Sequence, residues 1–340
     1  MKKLLNTLYV TTPEAYLTKD GLNVVILVDK KEIFRIPILN IEGIVTFGYM
    51  GASPGLMKLC MDNGVSLAFM SPQGRFIGRI QGGTHGNVLL RKKQYALSED
   101  EGIALHLSKL FIAGKIYNSR NILKRFIRDN GMDEEVELAA KQLDWSRKNV
   151  MATFNIDLLR GEEGRAANVY FGVFDRLILH QKDDFQFNGR FRRPPKDEIN
   201  AMLSFVYTLI TNEVAAALDS VGLDPYVGFM HTLRPGRASL ALDMMEEFRA
   251  YLGDRLVLSM INRKQVTKKD FIRQGDDGIL MTDDCRKELI ATWQKRKKEV
   301  VEHPFLKEKV PIGLLPYVQA KLFSRYLRDE LDDYPVFLMR

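Results

Sequence analysis

Cysteine is nearly absent from this sequence: two residues, Cys60 and Cys285, in a chain of 340. A disulfide framework and a cysteine-rich zinc site are therefore both disfavoured, and free thiols in a cytoplasmic protein are the expectation. Histidine is scarce as well, with five residues, so a site built from several imidazoles has little to draw on. No run approaches eighteen consecutive apolar residues, which argues against a membrane span. The opening "MKKLLNTLYVTTPEAYLTKDG" has an apolar stretch broken by Asn6, Thr7 and Thr11; it reads as a first strand rather than a signal peptide. There is no internal repeat and no low-complexity segment. Charge is only mildly unbalanced, 50 basic against 43 acidic residues for a net +7, which permits a polyanionic partner without requiring one.

What is present divides the chain in two. Residues 1–85 are rich in short runs of Val, Ile, Phe and Tyr, with Asp20-Gly21 and "SPQG" as hairpin signals and "SPGLMKLCMDNG" as a short helix between strands. Past "GGTHGN" the chain reads as helix after helix, with acids in first turns, bases in last turns and Asn-Gly stops. The expected fold class is α+β: a small N-terminal β-rich domain, 1–85, followed by a larger all-α domain, 86–340, with the boundary near residues 82–88. A basic stretch at 293–309 reads as a solvated helix face with a weak option of DNA contact.

Two stretches carry candidate chemistry. Along "DLLRGEEGRAANVYFGVFDRL", the seam positions Leu159, Glu163, Ala166, Tyr170, Val173 and Leu177 are apolar or aromatic except for Glu163. An ionised carboxylate in such a seam needs a partner or a cation; from this helix alone, a solvent- or arginine-paired Glu163 and a metal-binding one stay equally open. Glu162 projects about 100° away. Gly161, Gly164, Ala166 and Ala167 are small, as close helix packing would ask. Tyr170 reads as core.

In "FMHTLRPGRASLALDMMEEFR", Ala241, Met244, Met245, Phe248, Tyr251 and Leu252 make an apolar stripe, with Asp243 and Glu246 on the opposite side. Pattern alone favours a solvated face for these acids. Against that, they stand at i and i+3 and can converge on one ion. Ala250 leaves room beside them, and His231 lies twelve residues before Asp243 across a turn containing Pro235-Gly236. One imidazole with carboxylates suits Mn2+ or Mg2+. Ser239 is placed to cap the helix. His85, His106, His180 and His303 show no ligand spacing.

These residues resemble the CRISPR-associated spacer-acquisition integrase family, the adaptation nuclease of CRISPR loci, over essentially the whole chain. "RGEEGRAANVYF" is similar to its glutamate motif, "GFMHTLRPGRASLALDMMEEFR" to its histidine and acidic motifs, and "RFRRPPKDEINAMLSFVYTLI" to the segment between. The resemblance implies metal ligands at Glu163, His231 and Glu246, with Asp243 a supporting catalytic carboxylate that fixes the histidine or helps to hold a second ion. Some relatives carry aspartate at the position of Glu246, which keeps the charge. It implies a metal-dependent endonuclease and integrase that inserts short DNA fragments into a CRISPR repeat by 3′-hydroxyl attack on a phosphodiester. It further implies a homodimer formed through the β domains and a small ferredoxin-like CRISPR-associated partner.

DNA phosphates would be held by Arg190, Arg192 and Arg193 in "FQFNGRFRRPP", where Phe185, Phe187 and Phe191 are either base platforms or aromatics tucked into the body, and by Arg234 and Arg237 in the turn after His231. Arg249 pairs with a local acid. The alternatives are a metal-dependent nuclease of branched DNA, a non-catalytic DNA-binding scaffold, and a helical adaptor for proteins.

Overall fold

The computed structural model describes residues 6–80, 88–191, 194–275 and 278–339. The expected boundary at 82–88 lies almost wholly outside them, as do His85, Arg192 and Arg193. The described residues divide into two compact units. The first comprises those of 1–85 with Met281–Glu299 and Pro311–Leu314; the second comprises the rest.

The first unit holds two sheets. Strands β1 (Thr7–Val10), β5 (Gly43–Phe47), β6 (Ser66–Met70) and β7 (Phe76–Ile80) form one, in the order β1-β5-β6-β7, with β1, β5 and β6 parallel and β7 antiparallel to β6. Strands β2 (Tyr16–Asp20), β3 (Asn23–Val28) and β4 (Lys31–Pro37) form an antiparallel meander. The expected hairpins at Asp20-Gly21 and at "SPQG" are both there, joining β2 to β3 and β6 to β7. Helix α1 (Pro54–Asp62) is the expected short helix, started by Ser53, whose hydroxyl accepts from Leu56 N. Apolar side chains from both sheets and α1, among them Leu17, Val24, Ile38, Ile44, Leu56 and Leu67, make one core. β4 differs from its neighbours, being exposed along most of its length on both faces, with Ile33 and Phe34 open to solvent.

The second unit is helical, with α2 (Val88–Glu99), α3 (Glu101–Asn130), α4 (Glu134–Ala152), α5 (Ile156–Gly172), α6 (Glu198–Ser220), α7 (Ser239–Phe248), α8 (Arg255–Asn262) and α10 (Leu315–Leu327). Side-chain caps set the starts of α3, α4, α5 and α6 through Asp100, Asp133, Asn155 and Asp197. Ser239 does not cap α7: it is the first helical residue, and its hydroxyl turns toward the Thr232 and Arg237 carbonyls at 3.4 and 3.5 Å. The long helix α3 packs on α4, α5 and α7. By length and composition α6 alone, among the described residues, could cross a membrane; 67% of its apolar window is buried, as in a core helix. Short strands β8 (Phe271–Arg273), β9 (Ile279–Met281), β10 (Val300–Glu302) and β11 (Lys309–Pro311) interrupt the helical succession.

Helix α9 (Asp283–Lys297) packs with the β unit, where the sequence division had grouped it with the preceding helices. Trp293 and Lys297 are buried there, and Gln294 Nε2 donates to the Thr7 carbonyl at 3.1 Å. The basic stretch from 293 onward is thus not one solvated helix face: it is the end of α9 followed by β10.

Candidate metal centre

Three helices and one loop converge on a buried polar cluster. Glu163 comes from the middle of α5, Glu246 from the last turns of α7, and Lys115 from α3. The Lys115 ammonium contacts Glu163 Oε1 directly and lies 3.0 Å from Glu246 Oε2. Arg249 Nη2 donates to the other Glu246 oxygen at 2.5 Å. Burial opposes ionisation of Glu246, but Arg249, Lys115 and the nearby His231 outweigh it and hold the carboxyl at about 2.

Asp243 and Glu246 are therefore not on a solvated face. Asp243 is fully buried and Glu246 nearly so. A helical wheel assigns them to the polar side of α7, and that side is covered by α3 and by the loop before α7. Asp243 is saturated by that loop: Oδ2 accepts from the Phe229 and Met230 amides at 2.7 and 3.1 Å, and Oδ1 from the His231 amide at 3.0 Å and from His231 Nδ1 at 2.6 Å. Gly228 makes the close approach possible. A Cβ there would meet Asp243 Oδ2 at 2.6 Å and the Ser239–Leu240 backbone at 2.7 and 2.8 Å. Arg160, one turn before Glu163, ties down the same loop by donating to the Met230 carbonyl at 3.1 Å and to Thr232 Oγ1 at 3.2 Å.

Donation of the Nδ1 proton to Asp243 leaves His231 Nε2 with its lone pair, the arrangement in which a histidine ligates a metal. Two observations test whether the residues fit a divalent cation. First, the Glu163 and Glu246 carboxylates already share one cation, the lysine ammonium. Second, Glu246 Oε2 is buried and makes no hydrogen bond, although a positive charge stands beside it. The donor set of two carboxylates and one imidazole fits an ion of the Mn2+ or Mg2+ kind. No group of three or more His, Cys, Asp or Glu side chains is drawn together at ligand spacing among the described residues, and Lys115 stands between the two glutamates.

Behind the cluster, the chain between α7 and α8 makes a π-helical turn, Arg249–Asp254, a form that recurs at functional sites. Arg249 stacks over the Tyr207 ring at 4.7 Å, and Asp254 accepts from the Tyr170 hydroxyl at 2.9 Å and the Tyr207 hydroxyl at 2.5 Å. Burial pushes Asp254 up to about 6 despite those bonds. A cleft runs from Lys115 and Glu163 past Ser119, Ala166 and Ala167 to this network. A Cβ at Gly161 or Gly164 would meet nothing within 4 Å, so these glycines do not serve close helix packing. Glu162 turns aside to Arg165, whose guanidinium lies 4.2 Å over the Trp145 ring.

The basic loop behaves differently from its sequence. Phe185 and Phe187 are buried among Phe171, Phe174 and Phe271, so they are not base platforms. Arg190 is tied inward to Asn200 Oδ1 at 2.6 Å and Ser204 Oγ at 3.1 Å. Arg234 is exposed and Arg237 half-buried, both on the His231 loop.

Sequence reasoning passed over Lys115, Arg160 and Asp254. A signal for Lys115 existed: Ser108, Phe111, Ser119 and Ile122 share its face of α3, so it is one cation in a buried stripe, the mirror of the argument made for Glu163.

A family model described as CRISPR associated protein Cas1 matches residues 8–295. A CRISPR-associated endonuclease Cas1 of Chlorobaculum tepidum is 47% identical over the full length of both chains. One of Rhodospirillum rubrum is 48% identical over 98% of each. Among solved structures, a casposase bound to integration product superposes with a TM-score of 0.84 at 21% identity, covering 97% of this chain and 92% of that one. A Cas6-RT-Cas1–Cas2 complex gives 0.85 at 21% identity over all of this chain and 37% of that one.

Proposed function

The chain belongs to the CRISPR-associated Cas1 protein family, and from that premise we propose that it is a metal-dependent DNA endonuclease and integrase that inserts short fragments into a CRISPR repeat array. The observation that carries the site assignment is the convergence of the Glu163 and Glu246 carboxylates on one positive charge, beside a histidine whose outer nitrogen is freed by Asp243.

The reaction is a transesterification. The 3′-hydroxyl oxygen of the incoming duplex forms a bond to a phosphorus of the repeat, and the bond from that phosphorus to its leaving 3′-oxygen breaks. Glu163, His231 and Glu246 would hold a divalent cation, which would supply Lewis acidity toward the phosphate. Asp243 fixes the histidine tautomer and, through three backbone amides, the path of the loop. Arg160 holds the loop from the α5 side. Arg249 keeps Glu246 ionised and aimed. Arg234 and Arg237 sit on the same loop as His231, where guanidinium groups meet a bound phosphate. Arg190 serves the fold of its own segment through Asn200 and Ser204. No protein nucleophile is called for.

Likeness to the Cas6-RT-Cas1–Cas2 complex supports a small Cas2-type partner. The exposed apolar side chains of β4 support a homodimer formed through the first unit.

The test is strand transfer of a labelled short duplex with a free 3′-hydroxyl into a repeat-containing plasmid, with the small partner, in Mn2+ or EDTA. Joining should require Mn2+ and fall by at least roughly a hundredfold in Glu163→Ala, His231→Ala and Glu246→Ala, since even outer partners of a metal site cost 10–100-fold. Joining that persists in the three variants would refute the site. Cleavage without joining would point to hydrolysis of branched DNA.

A further inference from the structure

Building on the reading of Glu163, His231 and Glu246 as cation ligands, we propose that Lys115 is a resident competitor of the divalent cation: its ammonium holds the two carboxylates together in the metal-free protein and gives way when the ion binds. Lys115 is 8% exposed, and a buried lysine without partners is costly; its partners are these two carboxylates. Without it, Glu163 and Glu246 would repel across the same space.

The two cations at the cluster have different roles. Arg249 is locked, with its guanidinium bonded to Glu246 and stacked on Tyr207. Lys115 bonds Glu163 Oε1, stands 3.0 Å from Glu246 Oε2 on a flexible four-carbon stem, and lines the same cleft as Ser119, Ala166 and Ala167. With Lys115 in place, the charges of Glu163, Glu246, Lys115 and Arg249 cancel. Exchange for a divalent ion, with the lysine still nearby, makes the cluster positive. The site would then attract a phosphodiester only once the metal is loaded. The other titratable groups facing the cluster have partners of their own: His231 bonds Asp243, and Asp254 accepts from Tyr170 and Tyr207. Lys115 is thus a positioning residue for the carboxylates.

The test is Mn2+ titration of the full chain, read by the spin-resonance signal of the free ion, for wild type, Lys115→Met, Lys115→Arg and Glu163→Gln, beside the metal-free melting temperature. Lys115→Met should bind Mn2+ at least about tenfold more tightly, because a competing charge within contact distance has gone. It should also melt lower without metal and recover with Mn2+. A brace with no competing role predicts the opposite, since loosening the carboxylates weakens binding; equal or weaker Mn2+ affinity in Lys115→Met overturns the proposal. Lys115→Arg, which keeps the charge, should not tighten binding, and tightening there also overturns it. If metal-free Lys115→Met does not fold, release of Mn2+ into EDTA from protein purified with the ion replaces the titration: slower release than wild type supports competition, and equal or faster release refutes it. Glu163→Gln separates the two readings. Undiminished Mn2+ binding in that variant would sink the ligand assignment itself.

Discussion

Asp254 is a buried ionisable group. It is almost fully buried between Tyr170 and Tyr207, and burial raises it from an ordinary aspartate to about 6. Between the unfolded value near 4 and the folded value near 6 the native state holds the proton more tightly, so stability is greatest below that window and falls as pH rises through it. The loss is on the order of 3 kcal/mol. Urea denaturation at pH 4.5 and pH 7.5 should show that Asp254→Asn loses less stability than wild type over this interval; an unchanged difference would mean that Asp254 does not titrate there. Asp243 is a residue of the opposite kind, an acceptor with four donors. Asp243→Asn puts an amide where three backbone N–H groups and an imidazole donate, which should lower strand joining by 10–100-fold while leaving Lys115 between the glutamates. The candidate ligands were legible as residue types at motif spacing. Their burial was not, because a helical wheel records which side of α7 is polar and says nothing of α3 arriving to cover it.

At the scale of elements, the segment Tyr334–Met339 lies as a strap across α3 and α7. Glu247, the neighbour of Glu246, accepts from the Tyr334 hydroxyl at 2.5 Å, from the Phe337 amide and from Gln319 Nε2 at 2.9 Å. Asn118 on α3 donates to the Glu247 and Phe337 carbonyls at 2.7 and 2.8 Å and accepts from the Met339 amide at 2.8 Å. The strap therefore braces the back of the helix that carries Glu246. It reaches α3 at Gly114, where a Cβ would meet Val336 Cγ2 at 2.6 Å. Gly→Ala inside a helix ordinarily stabilises by about 1 kcal/mol. Here the sign should reverse: Gly114→Ala should lower the melting temperature, and adding Val336→Ala should recover most of the loss. Stabilisation by the single change would contradict the packing. Local signals foretold the hairpins and α1, because turn chemistry is written in adjacent residues, whereas the one cap named, Ser239, lies inside α7. The strap, the π-helical turn and the inward Phe185 and Phe187 depend on partners tens of residues away, and "FQFNGRFRRPP" looked like a nucleic-acid loop for that reason.

Across the whole molecule, the β-rich start and the helical remainder were legible from runs and periodicities, whereas the return of α9 to the first unit was not, since nothing in its own sequence names Thr7 as a neighbour. β4 exposes Ile33 and Phe34. If that surface receives a second copy of the chain, Phe34→Glu should shift the protein from dimer to monomer in sedimentation velocity without changing Mn2+ affinity; a dimer that survives places the interface elsewhere.

The central claim is one cation held by two carboxylates and one imidazole. Pulsed spin resonance of Mn2+ bound to the full chain reads it most directly. One strongly coupled histidine nitrogen, lost in His231→Gln while a weaker Mn2+ signal remains, is the predicted result. Bound Mn2+ with no nitrogen coupling, or a coupling unaltered by His231→Gln, would contradict it.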